Sequence, residues 1–194
     1  MSATSRYRLD EAAGGLFLVQ DLLNTRGVPA HEVPDLLGTV ADARRWTGSV
    51  VRRWKQTSRA TGGVRRTTSA DLVALRRLRR DVEHVMAGET VQREVSYRLL
   101  LDGDGAVRLQ PTGEGVRWLT SAVWGEVLLA QRDGTWPRLK TCRNRHCPCA
   151  FVDLSRNRSR VWHDVHTCGN AANLRASRAR RRAGGESGGT DPES

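Results

Sequence analysis

The sequence predicts an α+β protein: a helix-rich region over residues 1–135 with one small antiparallel β element, then a compact segment over 138–182 built on two knuckles and ending in a basic helix. Three observations predict it. Apolar residues recur at helical spacing through most of the first 135 positions, two short β-prone runs flank an Asp-Gly-Asp-Gly turn, and all four cysteines fall between 142 and 168. With 38% hydrophobic and 27% charged residues over 194 positions, the chain has the material for a core, which excludes wholesale disorder and fibrous classes. The longest apolar runs, Leu16–Val19 and Val127–Ala130, are far too short to span a bilayer, and Met1–Arg8 has no apolar stretch of signal-peptide length. A cytoplasmic protein is expected.

Leu16 to Thr25 carries apolar residues at 16, 19, 22 and 23, which predicts a short amphipathic helix with Asp10 as an upstream cap. Pro29 and Pro34 break the chain. Helical spacing resumes from Asp35 to Trp54 through Leu36, Val40, Trp46 and Val50, with an interruption expected near Gly48. Lys55 to Thr68, rich in Gly, Ser, Thr and Arg, reads as a mobile loop. Ser69 to Met86 is the strongest helix, with Ser69 as N-cap, an apolar stripe of Leu72, Leu75, Leu78, Val82 and Val85, arginines on the opposite face and Gly88 just past the end. Ser96–Leu101 and Ala106–Gln110 form the hairpin. Val116 to Arg132 returns to helix with Leu119, Val123, Val127 and Ala130 inward, and Trp118 and Trp124 as packing residues. Gly14-Gly15 and Gly62-Gly63 lack the strand-loop-helix setting of a phosphate cradle. Asp10, Glu11 and Asp21 read as helix-start partners, so no catalytic set stands out.

The charge is concentrated. Residues 138–182 hold twelve Lys and Arg against two Asp, while the rest of the chain, within a total of +11, is close to neutral. The same stretch holds Cys142, Cys147, Cys149 and Cys168 with His146, His163 and His166. Without a secretory signal, such clustering reads as metal ligation before disulfides. The cleanest tetrahedral set pairs Cys142 and Cys147 with His163 and Cys168, each pair separated by four residues and the pairs by 15, the arrangement of a structural zinc site. Cys149, His146 and His166 are close enough in sequence to substitute. Asn170 to Arg182 suits a helix capped by Asn170, with Arg175, Arg178 and Arg182 on one face and Arg180 and Arg181 widening it. Arg156, Arg158 and Arg160 lie between the knuckles. These nine residues are the candidate nucleic-acid contacts. Ala183 to Ser194, Gly/Ser-rich and acidic, reads as a disordered tail.

Phe151-Val152-Asp153-Leu154-Ser155-Arg156-Asn157, Arg160-Val161-Trp162-His163 and Cys168-Gly169-Asn170 resemble the CGNR-type zinc finger, a C-terminal module of bacterial proteins patterned C-x4-C, F-x-D-x-S, R-x-W-C and C-G-N-R. Gly15 to Arg26, with Asn24-Thr25 after an apolar helix, is similar to the ABATE domain commonly fused to it. The resemblance implies a treble-knuckle-like zinc finger and a family regarded as stress-induced transcription regulators. His163 stands at the family's third cysteine, Ala171 at its final arginine, and Cys149 where a bulky residue is common. The expected protein binds Zn2+ and DNA, is nucleoid-associated and not an enzyme, and dimerises or senses a signal through residues 1–135. An RNA-binding or protein-interaction module is the alternative. A zinc or thiol redox enzyme would need an open ligand position or a reactive Cys149.

Overall fold

The computed structural model describes residues 2–28, 32–64 and 66–185, and along the C-terminal helix only some of the side chains. A 3-10 turn at Thr4–Tyr7 precedes α1 (Leu16–Leu23), α2 (Val40–Ser58) and α3 (Ser69–Met86). The strands β1 (Tyr97–Leu101) and β2 (Val107–Pro111) follow, then α4 (Val116–Arg132), β3 (Leu139–Thr141), β4 (Ala150–Val152) and α5 (Asn170–Gly185). The two sheets are separate antiparallel pairs, with Leu99 opposite Leu109 in the first and Lys140 opposite Phe151 in the second. The architecture is α+β, as the sequence predicts.

The core is built around α1, whose eight residues are all buried, so it is not amphipathic but a helix enclosed on every side. Around it pack Trp46, Val50 and Trp54 of α2, Leu75 and Val82 of α3, and Leu119, Val123 and Val127 of α4. Leu139, Ala150 and Val152 of β3 and β4 belong to the same core. Gly15, not Asp10, stands at the N-cap of α1. A Cβ there would lie 2.0 Å from the Glu126 carboxyl group, so α4 comes this close only because residue 15 has no side chain. Glu126 itself is buried and accepts from Trp54 Nε1 at 2.8 Å. Burial raises its carboxyl pKa, and the indole bond offsets part of that rise.

Several boundaries differ from the sequence reading. α2 begins at Val40, where the Thr39 hydroxyl accepts from Asp42 N at 3.1 Å, and runs unbroken through Gly48 to Ser58. The residues from Asp35 to Thr39 instead form a turn against α3. For α3 the N-cap is Thr68, one residue before Ser69, closed by a reciprocal capping box with Asp71. Not all arginines of α3 face solvent. Arg79 is buried, bonding Thr25 Oγ1 at 2.9 Å and both Asp35 oxygens, while Arg76 bonds the Leu37 and Gly38 carbonyls. The loop after α2 is pinned rather than loose: Ala60 and Thr67 are buried, and the Thr61 carbonyl accepts from Trp118 Nε1 and Gln110 Nε2. Trp118 packs edge-on to Trp54, with ring centroids 5.7 Å apart. α5 continues to Gly185, three residues into the expected tail, whose remainder lies outside the described residues. Among the described residues no helix is long and apolar enough to cross a membrane.

Candidate metal centre

β3 and β4 form a short hairpin whose connection, 142–149, is the first knuckle. Cys142 N donates to the Cys149 carbonyl at 2.9 Å, adding one rung to the ladder. Cys147 N then closes a tight turn on the Asn144 carbonyl at 2.7 Å, which brings Cys142 and Cys147 back together. The second pair of ligands is set by Asp164. Its side chain accepts from His166 N and Thr167 N and so caps a single π-helical turn, Val165–Gly169, in which Cys168 N and Gly169 N both donate to the Asp164 carbonyl. This turn runs directly into α5. Asn170 is therefore inside the helix (φ −61°, ψ −42°), and Asp164 takes the capping role that the sequence reading gave to Asn170.

The Sγ atoms of Cys142, Cys147 and Cys168 and a ring nitrogen of His163 lie within 4.8 Å of one another. Cys147 Sγ and His163 Nδ1 are 3.3 Å apart. A tetrahedral zinc with its ordinary Zn–S and Zn–N bond lengths separates its ligand atoms by roughly 3.5–3.8 Å, so the four groups fit such an ion with small adjustment. Cys149 is buried beside the cluster but outside it, and His146 and His166 are exposed. Crowding four donors together favours protonated thiols. The Cys142 thiol is pushed up to about 11, chiefly by its hydrogen bond with Cys147, with burial adding to the rise. The Cys147 thiol stands at about 12: its bond with Cys142 lowers it, but the bond with Cys149 and burial outweigh that. A cation among them reverses this balance by favouring thiolates, so metal uptake releases protons.

Three side chains that spacing alone does not reveal hold the centre. Asn144, buried within the first knuckle, donates to Cys168 Sγ at 3.2 Å and accepts from Arg175 Nη2 at 2.7 Å, joining both ligand pairs to α5. Asp153, fully buried, accepts from Lys140 Nζ at 2.7 Å, Ser155 N and Oγ, and Arg160 N at 2.9 Å. Burial works to raise its carboxyl pKa, but these donors prevail and hold it well below the usual carboxylate range. Asn24, at the end of α1, donates to the Ala150 carbonyl and accepts from Ala150 N, both at 2.9 Å, with Gln20 Nε2 adding a bond to the same carbonyl. A strand of the hairpin is thereby tied to the central helix.

The candidate nucleic-acid residues divide into two groups. Arg160 lies over the Phe151 ring and donates to the His163 carbonyl at 2.7 Å, and Arg175 is engaged with Asn144; both are half-buried and serve the centre. Arg156, Arg158, Asn170, Arg178 and Arg181 are exposed. The side chains of Arg180 and Arg182 lie outside the described residues.

Residues 138–181 match the family model of the CGNR zinc finger. No curated protein matches the chain. The segment holding the Cys3His cluster is thus a finger of this kind.

Proposed function

We propose that the chain is a zinc-dependent DNA-binding protein, a transcription regulator whose C-terminal finger grips DNA while an ABATE-like region over residues 1–135 senses a signal or oligomerises. The observation that carries this reading is the coupling of α5 to the centre. The basic helix starts two residues after Cys168 and is locked to the first knuckle through Arg175 and Asn144, so its exposed Arg178 and Arg181 project from a fixed base. Arg156 and Arg158, exposed on the loop between the ligand pairs, offer a second set of phosphate contacts. Zinc suits three thiolates and an imidazole, and with four protein ligands it has no open position, so its contribution is a structural cross-link rather than catalysis. The oligomerising role draws support from the β1–β2 hairpin, where Leu99, Leu101 and Val107 are 63%, 79% and 61% exposed.

The test combines metal analysis with duplex binding across a salt series. The parent should carry about one zinc per chain and, if roughly six phosphates are met, log K should fall against log[salt] with a slope of about −5. His163→Ala should lose the metal, and Arg178→Glu with Arg181→Glu should weaken binding with the metal retained. Stoichiometric zinc with no duplex binding at low salt would sink the DNA reading and reassign the finger to protein contacts.

A further inference from the structure

A large cavity lies far along the chain from the finger. An open groove of about 1060 Å³ is walled by one stripe of α2, by the loop after it and by the turn before α4. The α2 stripe is Gly48, Val51, Arg52 and Lys55, at the i, i+3, i+4 and i+7 positions of one helix face. The loop adds Gly62, Gly63 and Arg66, and the turn adds Gly113, Glu114 and Gly115. Three cations therefore face one groove against a single carboxylate. Among the described residues no ion pair holds Arg52, Lys55 or Arg66, and Lys55 Nζ is bonded only to the Gly62 carbonyl at 2.8 Å. The seventeen-residue helix α4 opens at the same place, with Gly115 at its N-cap and no side chain accepting from its first turn.

Gly48 lies on the same wall of the groove. It sits in the middle of a nineteen-residue helix, where glycine is disfavoured, yet a Cβ built there meets nothing within 4 Å. No internal packing requires the missing side chain. What its absence does is keep the wall of the groove open.

We propose that this groove binds a phosphate-bearing small molecule of nucleotide size. The volume is that of a ligand site for such a molecule. Arg52, Lys55 and Arg66 supply the charge for a polyphosphate, the head of α4 adds its dipole, Val51 and Val64 offer an apolar wall, and Glu114 accepts from a hydroxyl. No strand-loop-helix signature announces the site in the sequence because three separate segments assemble it. The proposal does not rest on the DNA reading, since the groove shares no residue with the finger.

Titration calorimetry with ATP and with inorganic triphosphate on the full chain tests it. Saturable binding of either probe is expected, at least tenfold weaker in Arg52→Glu and in Gly48→Leu and unchanged in Arg178→Glu. Gly48→Leu places its side chain in open space and removes a helix glycine, so a thermal melt no lower than the parent's shows that the loss comes from occlusion. The proposal is overturned if neither probe binds saturably, or if binding survives both groove variants and falls in Arg178→Glu, which would place the polyanion on the basic helix. It is equally overturned if the groove variants weaken duplex DNA binding instead, which would make the groove a path for the nucleic-acid backbone.

Discussion

Asp153 is where the backbone of the finger converges, and the hydrogen bonds to its buried carboxylate tie the stability of the loop to pH. Its carboxylate receives Lys140 from β3, Ser155 from the following turn and the Arg160 amide from the approach to His163, so one charge fixes the loop between the ligand pairs. Because its pKa is held below the unfolded value near 4, its stabilisation is fully present above that value and disappears as pH falls through the folded-state pKa. Asp153→Asn should cost about 2–4 kcal/mol at pH 7, since the half-buried Lys140 ammonium loses its carboxylate and keeps only the Arg158 and Arg160 carbonyls. In urea titrations of the metal-free protein, the gap between parent and variant should begin to narrow as pH falls below about 4 and go on shrinking toward the folded-state pKa; a gap independent of pH would show that shape, not charge, is what Asp153 supplies. The motif Phe151-x-Asp153-x-Ser155 was legible as a pattern, but its role was not, because the four donors come from positions 140 to 160. Asn144 was hidden for a similar reason: an asparagine between two cysteines reads as a turn residue, and only the folded chain brings Cys168 and Arg175 to it.

At the scale of elements, α3 and α4 were readable because each carries an apolar stripe against a polar remainder, and the hairpin because its turn chemistry is local. The boundaries that sequence misplaced have local causes. Thr68 and Ser69 are both good caps, and Asp71 at the third position selects Thr68. Asn170 is a good cap too, yet Asp164 captures the amides first and opens the helix with a wider turn. α1 was misread as amphipathic because its polar residues looked like a solvent face. Gln20, Asp21 and Asn24 are buried instead, with Asp21 accepting from Thr4 N and Trp46 Nε1 and the other two reaching β4. Asn24→Ala leaves the Ala150 amide without a partner and removes one of the two donors to its carbonyl. A loss of about 2–3 kcal/mol in chemical denaturation is expected, together with faster hydrogen exchange at Ala150. Parent-like protection of that amide would show that the α1 bond does not hold the strand.

Across the whole molecule, the finger and the helical region share one core while differing in charge, and this combination sets how metal loss spreads. Leu139, Ala150 and Val152 lie against α1 in the same buried cluster as Trp46, Leu75 and Leu119, and Asn24 and Gln20 bond across the contact. A finger joined only by a linker would melt alone on chelation. Here the hairpin that carries Cys142 and Cys147 also supplies part of the core, so stripping the ion should destabilise the helices as well. With a free metal ion a thousandfold above its dissociation constant for the site, such linkage contributes about 4 kcal/mol to the folded state. Calorimetry of the loaded protein should therefore give one cooperative transition, and a chelator should move all of it to lower temperature. Two transitions, the larger unmoved by the chelator, would mean that the shared core does not couple the finger to the rest of the chain.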